Sequence, residues 1–225
     1  MRAVVIMAVA LAGCRFAADE GATRFRCDLA DDCPPGLACT GGWCEEPAAE
    51  VADASPPDAV DLACPCSLWE PDAVPEKLDN NDGSAIETAV KLRADLAGRI
   101  VALRFYKAAA SQGLEVGRVW SAEGALLGEV EYGGGGSASG WQEARLDPPM
   151  AMQADTTYLA SVYIPSGDYV ADVGYFLAAR DRPPLHALAD GMDGANGVFL
   201  LGAGFPDEQT FMASNYWVDV VFEED

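Results

Sequence analysis

The sequence predicts an all-β main domain, an antiparallel β-sandwich or jelly roll, preceded by a small disulfide-rich module. Three observations support this: short stretches of alternating apolar residues, turn residues at about every tenth position, and cysteines clustered near the N-terminus. A chain of 225 residues has room for one or two domains. Its 23 Gly and 14 Pro favour many turns over long helices.

The alternation is clearest in Gly98–Lys107. Val101, Leu103 and Phe105 fall on one face of a predicted strand, and Arg104 falls on the other. This period of two predicts a half-buried strand. Further strands are predicted at Leu126–Tyr132, Trp141–Leu146, Thr157–Ile164, Tyr169–Leu177, Val198–Leu201 and Tyr216–Phe222, with weaker candidates at Thr88–Leu92 and Val116–Trp120.

The N-terminus is typical of an exported chain. Arg2 precedes an apolar run that is too short to span a bilayer but fits the core of a signal peptide. The run ends in Leu11-Ala12-Gly13-Cys14, which resembles the bacterial lipobox, where the cysteine is lipidated and becomes the first residue. We therefore expect a signal peptide at 1–13, lipidation at Cys14 and a lipid-anchored tether at 14–26. An ordinary secretory signal with a chance cysteine is the alternative.

The net charge of the chain and the residue after Cys14 limit which partners and which membrane we expect. The 36 Asp and Glu against 14 Lys and Arg give a net charge of −22, which disfavours nucleic acid and also adhesion to anionic lipid through the protein surface. The acyl chains would therefore provide the membrane contact. Arg15 follows Cys14, rather than the Asp that retains many lipoproteins at the inner membrane. The resemblance thus implies the outer membrane of a Gram-negative bacterium, facing the periplasm or the surface.

Six further cysteines are expected to form disulfides, because an exported chain meets an oxidising compartment. Four of them lie in the predicted module at 27–44, where three pairings are open. Zinc is the alternative there, although the module has neither a Cys-x2-Cys pair nor a histidine. The segment resembles short cysteine modules that follow the lipobox in many bacterial lipoproteins. The disulfide candidates are Cys27, Cys33, Cys39, Cys44, Cys64 and Cys66.

The segment 45–61 separates the module from the main domain, predicted at 62–225. It contains six acids, three prolines and no Lys or Arg. Like charges and prolines extend a chain, so we interpret it as a semi-rigid acidic linker, with a short helix as the alternative.

Seven ordered stretches carry a family resemblance. They are CPCSLW (64–69), RIVALRFYK (99–107), VGRVWSAEGALLGEV (116–130), SGWQEARL (139–146), TTYLASVYIPSGDYV (156–170), PPLHAL (183–188) and NYWVDVVF (215–222). Together they resemble the bacterial family catalogued as domain of unknown function 4082. The resemblance implies an exported β-sandwich, often found beside immunoglobulin-like repeats or in carbohydrate-active proteins, with no established activity. Because the Cys64-Pro65-Cys66 pair recurs in that family, it also implies a bond made within the main domain, with partners left open.

Motifs for catalysis are weak. Gly135-Gly136-Ser137-Ala138-Ser139 lacks the final glycine of a nucleophile elbow, and one histidine cannot form a His-Glu-x-x-His site. Chance carboxylate pairs are inevitable among 36 acids. We therefore expect that the protein is not an enzyme, and a carboxylate-based hydrolase is the less favoured alternative. His186, flanked by apolar residues, is interpreted as packing under a loop, and ligand contact is the alternative.

Calcium is the one cofactor that the sequence suggests. Asp190, Asp193 and Asn196 offer oxygen ligands in a turn-rich segment, and Asp79–Gly83 is a weaker candidate. Neither segment fits the EF-hand spacing, and Asp-Gly and Asn-Gly are also ordinary turn dipeptides.

Aromatic residues suggest the function. Trp141, Tyr163, Tyr169 and Trp217 lie near predicted turns or on mixed faces, so they could stack on sugar rings or else pack into the core. We expect a lipid-anchored, non-catalytic envelope or surface module that binds a polysaccharide or another envelope component. A structural or protein-interaction module of a surface assembly is the alternative.

Overall fold

The computed structural model describes residues 25–29, 33–35, 37–45, 64–133, 138–207 and 209–225. Contacts divide the chain into two compact units, Met1–Ala59 and Val60–Asp225. Cys14, the signal peptide, nearly all of the tether and nearly all of the acidic linker lie outside the described residues. Among the described residues, no helix is long and apolar enough to cross a bilayer.

The N-terminal module is a three-stranded antiparallel sheet with two crosslinks. Its strands β1 (Phe25–Arg26), β2 (Ala38–Thr40) and β3 (Trp43–Glu45) are ordered β1-β3-β2. Gly41 and Gly42, both at positive φ, form the turn between β2 and β3, as two-residue hairpins require. Disulfides join Cys27 to Cys39 and Cys33 to Cys44. All four cysteines of the module are therefore in disulfides, which leaves no thiolate for the alternative zinc site.

The main domain is almost entirely β, as predicted. Its one helical element among the described residues is a single 3-10 turn at Tyr175–Leu177. The strands are β4 (Asn80–Asn81), β5 (Ile86–Ala94), β6 (Gly98–Lys107), β7 (Val116–Ser121), β8 (Leu126–Glu131), β9 (Gly140–Met152), β10 (Tyr158–Ile164), β11 (Asp168–Tyr169), β12 (Arg180–Arg182), β13 (Leu185–Ala187), β14 (Val198–Leu201) and β15 (Val218–Glu224).

These strands form two antiparallel sheets and a short ribbon. The larger sheet has seven strands in the order β12-β13-β5-β10-β7-β8, with β14 also pairing with β5. The smaller sheet has the order β15-β6-β9, and β11 pairs with β4 in the ribbon. One apolar cluster draws buried side chains from both main sheets, including Val90 and Val162 from the larger and Leu103 and Phe222 from the smaller. The domain is thus a β-sandwich.

A bulge changes the predicted faces of β6. In the pairing with β15, Phe222 lies opposite Ile100 and Val221 opposite Ala102, so Val101 is an extra residue and Ile100 joins Leu103 and Phe105 in the core. Val101, predicted to share a face with Leu103 and Phe105, is only half-buried. The alternation was therefore right beyond the bulge and wrong before it, because one irregularity exchanges the two faces of a strand.

Two other expectations were wrong in detail. The predicted strand Tyr169–Leu177 is interrupted, since only its first residue belongs to β11 and its last three form the 3-10 turn. Gly174, at positive φ, ends the extended run. The hairpin of β12 and β13 was not predicted, because each strand has only three residues and Pro183-Pro184 separates them. Both pair within the larger sheet nonetheless.

The last strand is joined to the start of the domain. Cys66 and Phe222 exchange two backbone hydrogen bonds, with N···O distances of 2.9 and 2.8 Å. Cys64 and Cys66 are bonded to each other, so the expected bond within the main domain is confirmed and its partners are now assigned.

Candidate functional site

An open cleft lined by four aromatic rings is the strongest candidate site. We call it the aromatic cleft, and it has a volume of about 160 Å³. The ribbon, β14 and the segment before β15 each contribute to its walls. Its lining residues are Asp82, Tyr169, Phe199, Phe211 and Tyr216.

Backbone bonds fix the cleft walls. The β11–β4 ribbon pairs Tyr169 with Asn80, and the Asp82 N–H donates to the Gly167 carbonyl at 3.3 Å. Gly167 must be glycine, because it has a φ of +74° and a Cβ there would lie 2.2 Å from the carbonyl oxygen of Ser84. On the opposite side, the Phe199 N–H donates to the Gln209 carbonyl at 2.7 Å, which ties β14 to the segment that carries Phe211.

The rings form angled walls. The Tyr169 and Tyr216 centroids are 5.8 Å apart with planes at 59°, and those of Phe199 and Tyr216 are 6.3 Å apart at 65°. Tyr216 is buried, whereas Phe211 is 58% exposed and can meet a ligand. The Tyr169 hydroxyl donates to Asp82 Oδ2 at 3.1 Å, which holds an exposed carboxylate beside the rings. Burial, then the Asp82 charge and this bond, raise the pKa of Tyr169 to about 12.

A second aromatic group, the indole cluster, covers the outer face of the smaller sheet. It consists of Trp69, Tyr106, Trp141, Tyr175 and Trp217, with ring centroids 5.6–6.5 Å apart. Each indole N–H is used internally: Trp69 donates to Tyr175, Trp141 to the Ala73 carbonyl and Trp217 to Asp172. Buried indoles with satisfied donors are typical of structural packing.

A buried ion pair underlies the indole cluster. Arg104 Nη2 lies 3.2 Å from Asp219 Oδ2, and its guanidinium stacks over Trp141 at 4.4 Å. Asp219 also accepts from the backbone N–H groups of Leu68 and Trp69. Burial raises the pKa of Asp219 to about 6 against the opposing effect of Arg104 and these donors. The pair thus fixes the N-terminal segment of the domain on the smaller sheet.

The candidate calcium loop is held by the protein's own cations and backbone. Arg93 Nη2 lies 3.0 Å from Asp193 Oδ2, the Thr157 hydroxyl donates to the same oxygen, and Lys91 Nζ donates to the Asp193 carbonyl. The bonds from Thr157 and Arg93 lower the pKa of Asp193. Asp190 Oδ1 accepts the Asn196 N–H at 3.0 Å.

Asn196 completes the edge of β5 in place of a strand. Strands β14 and β13 pair with the two ends of the same edge of β5, and Asn196 fills the gap between them at Lys91. Its Oδ1 accepts from the Lys91 and Gly197 N–H groups, and its Nδ2 donates to the Lys91 and Leu188 carbonyls. These four bonds occupy both polar atoms of a fully buried side chain. Asn196 therefore has no accessible oxygen to offer a metal ion.

His186 lies in a second cavity, of about 250 Å³, between two carboxylates. Its Nδ1 is 2.8 Å from Asp181 Oδ1 and its Nε2 is 2.9 Å from Asp95 Oδ2. Burial lowers the pKa of His186, but the bonds to Asp95 and Asp181 outweigh it and the pKa is raised. Two flanking carboxylates favour the charged imidazolium, whose two N–H groups can donate to both, and the contacts tie β13 to β12 and to the residue after β5.

Comparison with known proteins identifies the family. A family model described as "Domain of unknown function (DUF4082)" matches residues 72–218. The chain belongs to this family. The match includes His186 and all five residues of the aromatic cleft, whereas Trp69 precedes it. No curated protein matches the chain significantly.

The four aromatic residues predicted as ligand contacts occupy different places in the DUF4082 domain. Trp217 is 4% exposed in the indole cluster, so it cannot stack on a ligand. Trp141 is half-buried in the same cluster. Tyr163 lies on the outer face of the larger sheet near Arg118, whereas Tyr169 packs against the main core, so the two do not form one platform. Of the four, only Tyr169 lines the aromatic cleft.

The other members of the cleft were missed or assigned other roles. Asp82 was considered only for calcium, and Tyr216 only as the first residue of the last predicted strand. Phe211 was not singled out, although an aromatic residue outside every predicted strand is a usable signal because no core pattern accounts for it. Phe199 gave no such signal, because it lies inside a predicted strand.

Two buried acids of the DUF4082 domain, Glu87 and Asp172, form several hydrogen bonds within the domain. The Glu87 carboxylate accepts hydrogen bonds from Arg118, Ser161 and the Gly204 N–H. Burial raises the pKa of Glu87 although these bonds act to lower it. The Asp172 carboxylate accepts hydrogen bonds from the Trp217 indole N–H and from two backbone N–H groups. The alternative hydrolase needs two buried acids that face each other across a cleft; Glu87 and Asp172 instead accept hydrogen bonds from Arg118, a hydroxyl, an indole and backbone N–H groups.

Proposed function

We propose that this chain is a non-catalytic glycan-binding module, held at the bacterial cell envelope by a lipid on Cys14, and that the aromatic cleft is its glycan site. The observation that carries the proposal is the combination of exposed and half-buried rings with a carboxylate at one opening. Aromatic faces pack on the apolar faces of sugar rings, and a carboxylate accepts hydrogen bonds from hydroxyl groups.

The ring positions support recognition of a sugar at this place. Phe211 is 58% exposed and therefore loses water on contact, whereas the buried Tyr216 supports the other rings from behind. Asp82 is oriented by the Tyr169 hydroxyl, so it offers a fixed acceptor. Pre-arranged groups lose less conformational entropy on binding.

The test is binding of the full chain, purified with its disulfides formed, to a panel of polysaccharides and isolated cell-wall material. Calorimetry is the suitable readout, because the cleft contains no tryptophan to report by fluorescence. We expect Phe211→Ala to weaken binding about three- to tenfold, the range of one aromatic contact.

Met212→Ala is the matched control. Met212 is 64% exposed and adjacent to Phe211, but it does not line the cleft. We expect this variant to bind as the unaltered chain does. Equal losses from both variants, or no binding to any glycan in the panel, would refute the glycan proposal.

The anchor has a separate test in a Gram-negative host. We expect Cys14→Ser to move the protein from the membrane fraction to the soluble fraction, because the acyl chains provide the attachment. Arg15→Asp should instead keep it lipidated and shift it to the inner membrane. Membrane attachment that survives Cys14→Ser would refute the anchor.

A second candidate function is contact with another protein of a surface assembly. Val173, Leu177 and Met212 are exposed apolar side chains on two segments joined by the Gly174 N–H and the Met212 carbonyl, 2.8 Å apart. Exposed apolar residues grouped in this way are typical of protein contacts. Capture of one envelope protein that depends on Met212 and not on Phe211 would favour this function.

A further inference from the structure

We propose that the aromatic cleft selects a glycan that carries a protonated amine, such as a sugar whose amino group is not acetylated. This inference rests on the proposed function and adds the chemical class of the ligand. It follows from the charge of the cleft, the angles between its rings and its size.

Among the described residues that line the aromatic cleft, the one charged side chain is acidic. Asp82 supplies a carboxylate, and none of the other four lining residues carries a charge at neutral pH. The phenols remain neutral, because burial and the Asp82 charge raise the pKa of Tyr169 and burial, Tyr169 and Asp82 raise that of Tyr216. An anionic sugar would meet Asp82 without a cation from the lining, whereas an ammonium group would pair with it.

The ring arrangement also suits a cation. Aromatic faces attract ammonium groups through their quadrupole, and the attraction adds to that of a nearby carboxylate. The Tyr169 and Phe199 rings are inclined to the Tyr216 ring at 59° and 65°, so the rings of the cleft do not offer one flat surface. A flat surface is what stacking on a neutral sugar ring alone would need.

The volume of the aromatic cleft limits how much of a glycan it can contact. Its volume of about 160 Å³ corresponds to roughly five water molecules in liquid water. This is room for one sugar unit, or its amine-bearing edge, of an oligosaccharide that extends out of the open cleft. The net charge of −22 would further raise the local concentration of a cationic ligand.

The experiment compares two probes that differ in acetylation alone. A glucosamine hexamer and its fully N-acetylated counterpart are titrated into the full chain at mildly acidic pH, where the amines are protonated. We expect about a tenfold preference for the free amine, the combined size of one exposed cation–π contact and one surface ion pair. Asp82→Asn should abolish most of this preference.

Asp79→Asn is the matched control, since it removes the same charge from an exposed acid that does not line the cleft. It should leave the preference intact. Equal binding of the two hexamers, or a preference that survives Asp82→Asn, overturns the amine inference while leaving glycan binding in place. Binding confined to other glycans of the panel does the same. Failure of every glycan to bind overturns the proposed function itself.

Discussion

Replacing Asn196 by Asp tests whether this buried amide is structural or a metal ligand. The change alters one atom from a donor to an acceptor. Asn196 Nδ2 lies 2.6 Å from the Leu188 carbonyl oxygen and 3.1 Å from that of Lys91. In the variant both carbonyls would face an oxygen, so two hydrogen bonds become two repulsive contacts.

The magnitude follows from those two contacts. Each of the two lost hydrogen bonds costs about 1 kcal/mol, and the Leu188 carbonyl, left without a donor, costs about 1–3 kcal/mol more, whereas the Lys91 carbonyl still accepts the Leu188 N–H. We therefore expect the free energy of unfolding to fall by about 3–5 kcal/mol. A calcium ligand would behave oppositely, since a carboxylate binds the ion more strongly than an amide does.

The assay is equilibrium unfolding in urea, with calcium and with a chelator. We expect the same loss in both conditions. Gln153→Glu is the control, because it makes the same amide-to-acid change at an exposed residue and should cost no more than about 0.5 kcal/mol. An Asn196→Asp variant that is as stable as the unaltered chain, or is stabilised by calcium, would refute the structural role.

Three further changes test other parts of the domain. Arg104→Leu leaves Asp219 buried without its cation, so we expect urea unfolding to show a loss of about 3–5 kcal/mol at neutral pH. This loss should shrink as acid neutralises the carboxyl, and a pH-independent loss would contradict it. The pKa of His186 is raised above 6.5 in the folded state. The charged histidine therefore stabilises the fold fully below pH 6.5, and this stabilisation is lost as the pH rises through the folded-state pKa. His186→Gln should remove this pH dependence from the urea midpoint of unfolding. Gly98→Ala places a Cβ 2.2 Å from the Glu223 carbonyl oxygen, and we expect a loss of about 3 kcal/mol or more in thermal or urea unfolding.

Much of the fold could be predicted because strand alternation is a local property. Gly98–Lys107 and Val198–Leu201 match β6 and β14 at both ends. Predictions were wrong where long-range pairing decided the structure. The bulge in β6 is defined by its pairing with β15, and of the two three-residue strands β13 pairs with the edge of β5 and β12 pairs with β13.

The candidate site was less predictable than the fold. Tyr169 was selected because it follows a turn, and the structure does place it at an open cleft. Its neighbours come from segments that are distant in sequence, so no spacing rule could group them. Trp217 shows the opposite difficulty: its mixed-character face suggested exposure, yet that face is covered by Trp69 and Tyr175. A strand pattern states which face a residue occupies, not what later covers it.

The bridge between Cys66 and Phe222 has a mechanical consequence. The chain enters the domain at this bridge, while Tyr216 at the aromatic cleft precedes the other end of β15. Phe222 lies six positions beyond Tyr216, and the last five of these positions, from Val218 onward, belong to the extended strand β15. A tether that pulls at Cys66 against a ligand held at the cleft would therefore load β15 lengthwise. Its bonds to β6 would resist together in shear rather than open one at a time, which is the stronger geometry for a strand under tension.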